Sequence, residues 1–467
     1  MKNPLLTLLL IFLVSTFNFA QNKTAILIRS ATVLTAARGR LENTDILIQN
    51  GKIARVDRNI SAPANAQIID ATGKFVAPGI IDCHSHTMLD DINEFSYSVT
   101  SMTRMRDVLN PTDKDLYRAL AGGVTTLNLL HGSANSIGGQ NAVVKIKFGR
   151  PAEEFLIVDA PPGIKFALGE NPKRSHFPPL AGQTRRYPAT RMGVEETIRD
   201  AFVRARDYKA AWDDYRARVN RKDKTTIAPR HDLELEPLVE VLEGKRFVHA
   251  HSYRSEEMLM LLNLANEFGF KIRTLQHALE AYKIAPEIAQ KAAAGVSIFV
   301  DNWGYKIEAF DAIPYNAAIL WKNNVIVSIN SDSNERMRRL NLEAAKVEKY
   351  GDVPEEEALK MITLNPAIQL GIDKRTGSIE PGKDADLVIW SDHPFSPYAH
   401  VEQTMIEGVA YFDRAQDLAR RSALEKERAE LEKADANKPG TGAGATTPSI
   451  PRDRGKAELD DAEGNHK

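Results

Sequence analysis

The sequence holds a single cysteine, Cys83, so no disulfide can form within the chain. It also lacks a dominant charge: 61 Lys and Arg face 62 Asp and Glu, for a formal net charge of −1. That balance gives no global attraction to nucleic acid or to an acidic membrane. Long hydrophobic runs are missing too, except at the start. There "MKNPLLTLLLIFLVSTFNFAQ" has a positive beginning at Lys2, an apolar stretch from Leu5 to Phe17 and a cleavage-type site after Ala20. This is the layout of a secretory signal peptide over residues 1–20. The stretch is short for a bilayer span and polar "QNKT" follows at once, which argues against a stable membrane anchor. The expectation is an exported bacterial protein, periplasmic or secreted.

What is present reads as two kinds of folding unit. "TAILIRSATVLT", "DILIQNGKIARVD" and "QIIDATGKFVAPG" are short β-rich runs separated by "NG" and "TG" turn signals. Near the other end, "TGSIEPGKDADLVIWSDHP" and "VEQTMIEGVAYF" have the same character. Together they predict a small β-sandwich built from both chain ends, residues 21–78 and 372–412. Between them, "GIIDCHSH", "GVTTLNLL", "FLIVDA", "GIKFAL", "RFVHAHS", "KIRTLQH", "GVSIFVD" and "NVIVSINSD" alternate with amphipathic stretches such as "SEEMLMLLNLANEFG". Apolar strands separated by amphipathic helices indicate parallel βα units. Their count predicts an α/β fold with a (β/α)8 TIM-like barrel over residues 79–371. Residues 413–467 read as a charged helical segment and then a Gly/Pro/Thr-rich disordered tail.

The polar residues of the central unit gather at strand ends. His84 and His86 follow "PGIID", Lys165 lies in "GIKFAL", His249 and His251 close "RFVHAHS", His277 closes "IRTLQH" and Asp332 closes "VIVSINSD". In a parallel barrel all these ends meet on one face, where active sites are built. Residues two apart on a strand point the same way, so His84 and His86 can grip one ion. One H-x-H pair is a weak signal, but imidazoles and a carboxylate from several strand ends make a donor set for a divalent metal. Cys83 falls between these residues and should face away, as a small buried residue of the barrel wall.

The stretch "VAPGIIDCHSHT" resembles the signature of the metal-dependent amidohydrolase superfamily. "TLNPAIQLGIDKRTGSIEPGKDADLVIW" resembles that superfamily's return to its small β-sandwich, and "ILIRSATVLTAARGRLENTDILIQNGKIARVD" the first half of it. The resemblance spans residues 24–412. It implies one or two divalent ions, zinc first, held by His84, His86, His251, His277 and Asp332. "HSYRSEEM" is similar to the prolidase-like and imidazolonepropionase-like branches, which favours His251 over His249. The "IK" of "GIKFALGEN" resembles the prolidase-like strand whose lysine is carboxylated, which nominates Lys165. Where that branch continues differently, this chain has "LGEN", and Glu170 stays open as the bridging carboxylate.

The resemblance implies an exported hydrolase of a C–N, amide-type bond in a small molecule, with a dipeptide-like substrate favoured. Asp332 would take a proton from the attacking water and pass it to the leaving nitrogen. An imidazolonepropionase-like cyclic amide hydrolase or a deaminase is the alternative within the superfamily. A non-catalytic scaffold of the same fold is the alternative outside enzymes, though the ligand positions present here oppose it. His131, Tyr253 and Asn302 are candidate substrate contacts on the same predicted face. The arginines of "TRRYPATRMG" suit a substrate carboxylate or an ordinary solvated loop. No nucleic-acid partner is expected, and an oligomer is compatible with this organisation.

Overall fold

Aliphatic runs from the two ends of the chain pair with each other. The computed structural model describes residues 25–94, 96–173, 186–292 and 295–436. The signal-peptide reading at 1–20 and the tail after 436 lie outside these described residues. Five strands open the fold: β1 (Ile26–Leu34), β2 (Arg40–Gln49), β3 (Lys52–Asp57), β4 (Gln67–Asp70) and β5 (Phe75–Pro78). The "NG" signal is the β2–β3 turn, with Asn50 at φ +52° and Gly51 at φ +79°, the left-handed pair a tight hairpin needs.

The central part contributes β6 (Ile80–Ser85), β7 (Val124–Leu129), β8 (Ile137–Gln140), β9 (Ala142–Lys145), β10 (Gly163–Ala167), β11 (Phe247–Ser252), β12 (Ile272–His277), β13 (Val296–Ile298) and β14 (Val327–Ile329). The closing strands are β15 (Leu387–Trp390), β16 (Val401–Ile406) and β17 (Val409–Asp413). One eight-stranded sheet runs β17-β16-β15-β5-β1-β2-β3, with β4 also paired to β1. Its seam is β5 against β15, antiparallel from Phe75↔Trp390 to Pro78↔Leu387. Ile28, Val33, Ile46, Val76, Leu387 and Ile389 fill its buried face.

A second sheet runs β14-β13-β12-β11-β10-β8, parallel from β10 to β14, and a third joins β6 parallel to β7 with β9 antiparallel. Their inward and outward faces are both covered, which is why these strands read as unbroken apolar runs. Backbone bonds tie β6 to segments that follow β14: Asp332 N–H donates to the His84 carbonyl at 3.2 Å and Ile81 N–H to the Ile362 carbonyl at 2.9 Å.

One expected strand is absent. "FLIVDA" is a turn following a short 3-10 stretch, with a lone bridge from Leu156 to Val144. Phe155 and Ile157 are buried while Val158 is 90% exposed, so only the first half of the run packs inward. Pro161 and Pro162 follow directly and cannot donate to a ladder.

The helices are α1 (Lys114–Ala121), α2 (Arg191–Asn220), α3 (Glu236–Leu242), α4 (Ser255–Phe268), α5 (Ala285–Lys291), α6 (Asn316–Lys322), α7 (Leu340–Gly351), α8 (Glu355–Lys360), α9 (Leu364–Leu370) and α10 (Arg414–Ala436). Thr190 caps α2 by accepting the Gly193 N–H at 3.1 Å. The first half of α2 buries Val194, Ile198 and Phe202, whose ring lies 5.9 Å from that of Phe166 on β10. A fully buried ring of this kind contributes about 1.5–3 kcal/mol. The charged pattern after Asp413 is α10, anchored where buried Asp417 accepts the Tyr117 hydroxyl at 2.9 Å. No helix among the described residues is long and apolar enough to cross a membrane.

An ionic cluster sits between the eight-stranded sheet and β9. The buried Lys145 ammonium lies 2.6 Å from Asp384, 2.9 Å from Asp386 and 3.2 Å from Glu407. Burial alone would lower its pKa, but the carboxylates of Asp386, Asp384 and Glu407 outweigh it and hold the ammonium above its ordinary value.

Candidate metal centre

Strand β6 delivers His84 and His86 to the same side, and the segment after β14 brings Asp332 against both. Asp332 Oδ1 lies 3.2 Å from His86 Nε2 and 3.5 Å from His84 Nε2, and its Oδ2 lies 3.7 Å from His277 Nε2. One ligand atom each from His84, His277 and Asp332 fall within 4.8 Å of one another. Lys165 Nζ is 3.1 Å from His84 Nε2 and donates to the His131 carbonyl at 3.2 Å. The His251 ring completes the group, 4.8 Å from that of His277. His84, Lys165, His251 and His277 are fully buried.

The alternatives fall at different depths. His249 lies opposite Lys165 in the strand register, one inward step before His251. Burial first, then the charges of Arg273 and Lys165, push its imidazole down to about 3. Glu170 is half-buried, and its backbone N–H donates to Glu308 Oε2 at 3.0 Å.

The support around the cluster explains its shape. Asp82 Oδ1 accepts the backbone N–H groups of His84 and Ser331, both at 3.2 Å, and its Oδ2 accepts the Ser331 hydroxyl at 2.5 Å. It thereby fastens the two chain segments that carry His84 and Asp332, and burial pushes its carboxyl up to about 6. His86 Nδ1 lies 2.9 Å from the Leu130 carbonyl, which leaves Nε2 directed at Asp332. His277 and Asp332 themselves sit at φ +66° and +45°, left-handed conformations that cost about 1–3 kcal/mol in a residue with a side chain.

The expected substrate contacts make bonds within the protein. His131 has both ring nitrogens committed: Nδ1 to the Gly132 carbonyl at 2.9 Å, and Nε2 accepting the Glu94 N–H at 3.0 Å. Burial pushes it down to about 4, so it is a neutral brace of the loop after β7. Tyr253 is buried, stacked 5.5 Å from His277, with its hydroxyl 2.6 Å from that of Tyr305. Asn302 accepts a bond from Arg336. Of the arginines in "TRRYPATRMG", Arg186 donates to the Tyr97 carbonyl at 2.8 Å and Arg191 pairs with Glu257. Cys83 faces away, between Ser297 at 3.0 Å and Ser328 at 3.2 Å, with burial pushing its thiol up to about 12.

The sequence reading missed Gln276, whose Oε1 lies 3.2 Å from His84 Nδ1. It neighbours His277 in the chain, and simple strand alternation sends neighbours to opposite faces.

Comparison with known proteins gives a consistent set. The model of the Amidohydrolase family matches residues 315–411. A crystal structure of an amidohydrolase from Thermotoga maritima MSB8 is 36% identical, covers 83% of this chain and all of its own, and superposes with a TM-score of 0.75. Amidohydrolase tasK of Hapsidospora irregularis is 35% identical over 397 residues, 79% of this chain; the chain spans only 40% of that protein's length. An imidazolonepropionase of Thermoplasma volcanium is 23% identical over 392 residues, 80% of this chain and 92% of its own.

Proposed function

The chain belongs to the amidohydrolase family, metal-dependent hydrolases acting on C–N bonds, and from that premise we propose that it cleaves an amide-type bond of a small molecule at the Asp332 cluster. The observation that carries the reading is one carboxylate, Asp332, within 3.2 to 3.7 Å of three imidazole nitrogens. Nitrogen and oxygen donors converging in this way suit zinc or a similar divalent ion. His84, His86, His277 and Asp332 would hold it, with His251 and Lys165 completing the set. When bound, such an ion supplies Lewis acidity toward the scissile carbonyl and the attacking water.

The chain's own part is proton transfer and orientation. Water oxygen adds to the carbonyl carbon, the C–N bond breaks, and the Asp332 carboxylate carries the proton from that water to the leaving nitrogen. Transfer of this kind is worth about 10²–10⁴-fold. Lys165 in this reading would carry a carbamate on Nζ when metal is bound, a mass gain of ~44 Da that acid removes; an unmodified Lys165 in the active, metal-loaded protein would leave Glu170 as the alternative carboxylate of the set.

A dipeptide-like substrate is favoured by the "IK" and "HSY" stretches around Lys165 and His251. A cyclic amide of the imidazolonepropionase type is the second reading, favoured by the end-to-end likeness to that enzyme. The same proposal takes the two central sheets as parts of one (β/α)8 barrel and the eight-stranded sheet as the small domain beside it. Export after loss of residues 1–20 belongs to this reading as well. The test is metal analysis of the full chain, then activity on dipeptides, cyclic amides and aminated bases before chelation, after it, and after metal return. A metal-free protein inactive across that panel overturns the proposal.

A further inference from the structure

Strand β12 places Gln276 opposite His251 in the β11 ladder, so both side chains enter the interior of the site. Alternation would then turn His277 away. The left-handed backbone at His277, φ +66°, and Ala278, φ +38°, brings it back. Two consecutive side chains therefore reach His84: the His277 ring at 4.4 Å between centroids, and Gln276 Oε1 at 3.2 Å from Nδ1.

A neutral imidazole has one N–H and one lone pair, and a glutamine Oε1 only accepts. The proton of His84 is therefore on Nδ1, and the lone pair of Nε2 faces the cluster. On the other side of the ring Nε2 has a donor at 3.1 Å, nearer than the Asp332 oxygen at 3.5 Å, which suits the same tautomer. That group, Lys165 Nζ, only donates, whether as the ammonium of the metal-free chain or as the N–H of a carbamate. Reversing the Gln276 amide would move the ring proton to Nε2, against that donor. The remaining half of the amide shows what the arrangement costs: Gln276 Nε2 is buried without a hydrogen-bond partner among the described residues. An aliphatic side chain would avoid that cost.

We propose that Gln276 is a positioning residue of the metal centre, locking His84 in the tautomer that offers Nε2 to a divalent ion. The inference rests on the metal-centre reading above. The experiment strips the full chain of metal, returns Zn2+ in competition with a chromophoric chelator, and compares wild type, Gln276→Met and Gln276→Glu. Loss of a partner that orients a ligand histidine typically weakens metal binding about 10–100-fold, the effect expected for Gln276→Met. Gln276→Glu keeps an acceptor against Nδ1 and should restore affinity to at least the wild-type level. Zn2+ binding by Gln276→Met within two-fold of wild type overturns the inference, whereas a wild type that binds no Zn2+ overturns the metal centre itself. If Gln276→Met does not fold, nitrogen-15 NMR of metal-free wild type decides: His84 protonated on Nδ1 supports the role, and protonation on Nε2 overturns it.

Discussion

Asp332 meets His84 twice: its backbone N–H donates to the His84 carbonyl at 3.2 Å, and its carboxylate oxygen lies 3.5 Å from the same residue's Nε2. The main-chain bond joins the segments, and the side chain faces the chemistry. The two roles separate by mutation. Asp332→Asn keeps the backbone bond but gives up the proton carrier. We expect wild-type melting behaviour with turnover reduced by at least ~10²-fold. Full turnover on a substrate found in the panel would remove Asp332 from the proton path.

His251 and His249 give a paired prediction. His251→Ala should cost more Zn2+ affinity than the ~10–100-fold typical of a supporting residue. His249→Ala, one inward step deeper, should cost less than that. Chelator competition on both variants measures it, and equal losses would contradict the assignment of His251.

Lys145 is expected to matter for stability alone. Lys145→Met leaves Asp386 buried without its ammonium and Asp384 with only Lys52 and Arg375, a change that costs about 3–5 kcal/mol. Urea unfolding of the two proteins should show that gap, with Zn2+ affinity unchanged in the variant that remains folded. A midpoint equal to wild type would mean the cluster is solvated in solution.

The same cluster predicts an acid dependence. Burial would raise the Asp384 carboxyl, but Lys145, Lys52 and Arg375 hold it below the ordinary range. A carboxylate depressed in the folded state stabilises fully above its unfolded value of about 3.9 and less as pH falls below it. The stability gap between wild type and Lys145→Met should therefore narrow as pH falls below about 4. An unchanged gap at the acid end would remove Asp384 from the account.

What could be read from the chain and what could not divide along physical lines. His84 and His86 could be placed together because period-two alternation is local and needs no knowledge of neighbours. The β5–β15 pairing was legible in kind, since β-rich runs at both ends need partners. "FLIVDA" was misread because a short apolar run looks the same in a strand and in a buried turn, and the Pro pair after it was the discriminating signal. The bracing bonds of His131, to the Gly132 carbonyl and from the Glu94 N–H, were not legible because they are set by loop geometry. Gln276 was missed for a related reason: its alignment with His277 depends on a backbone angle that no residue type announces.

The seam between β5 and β15 also orders events in time. Strand β6, which carries His84 and ends just before His86, leaves directly from β5, one of whose two partners is separated from it by most of the chain. During synthesis β5 has an open edge until β15 emerges, and such distant pairings form late because a long loop must close first. The first ligand pair is thus tethered to a sheet completed among the last events of folding. A chain cut short before Leu387 would present an adhesive strand edge to its neighbours and would be lost to aggregation before it was lost to inactivity.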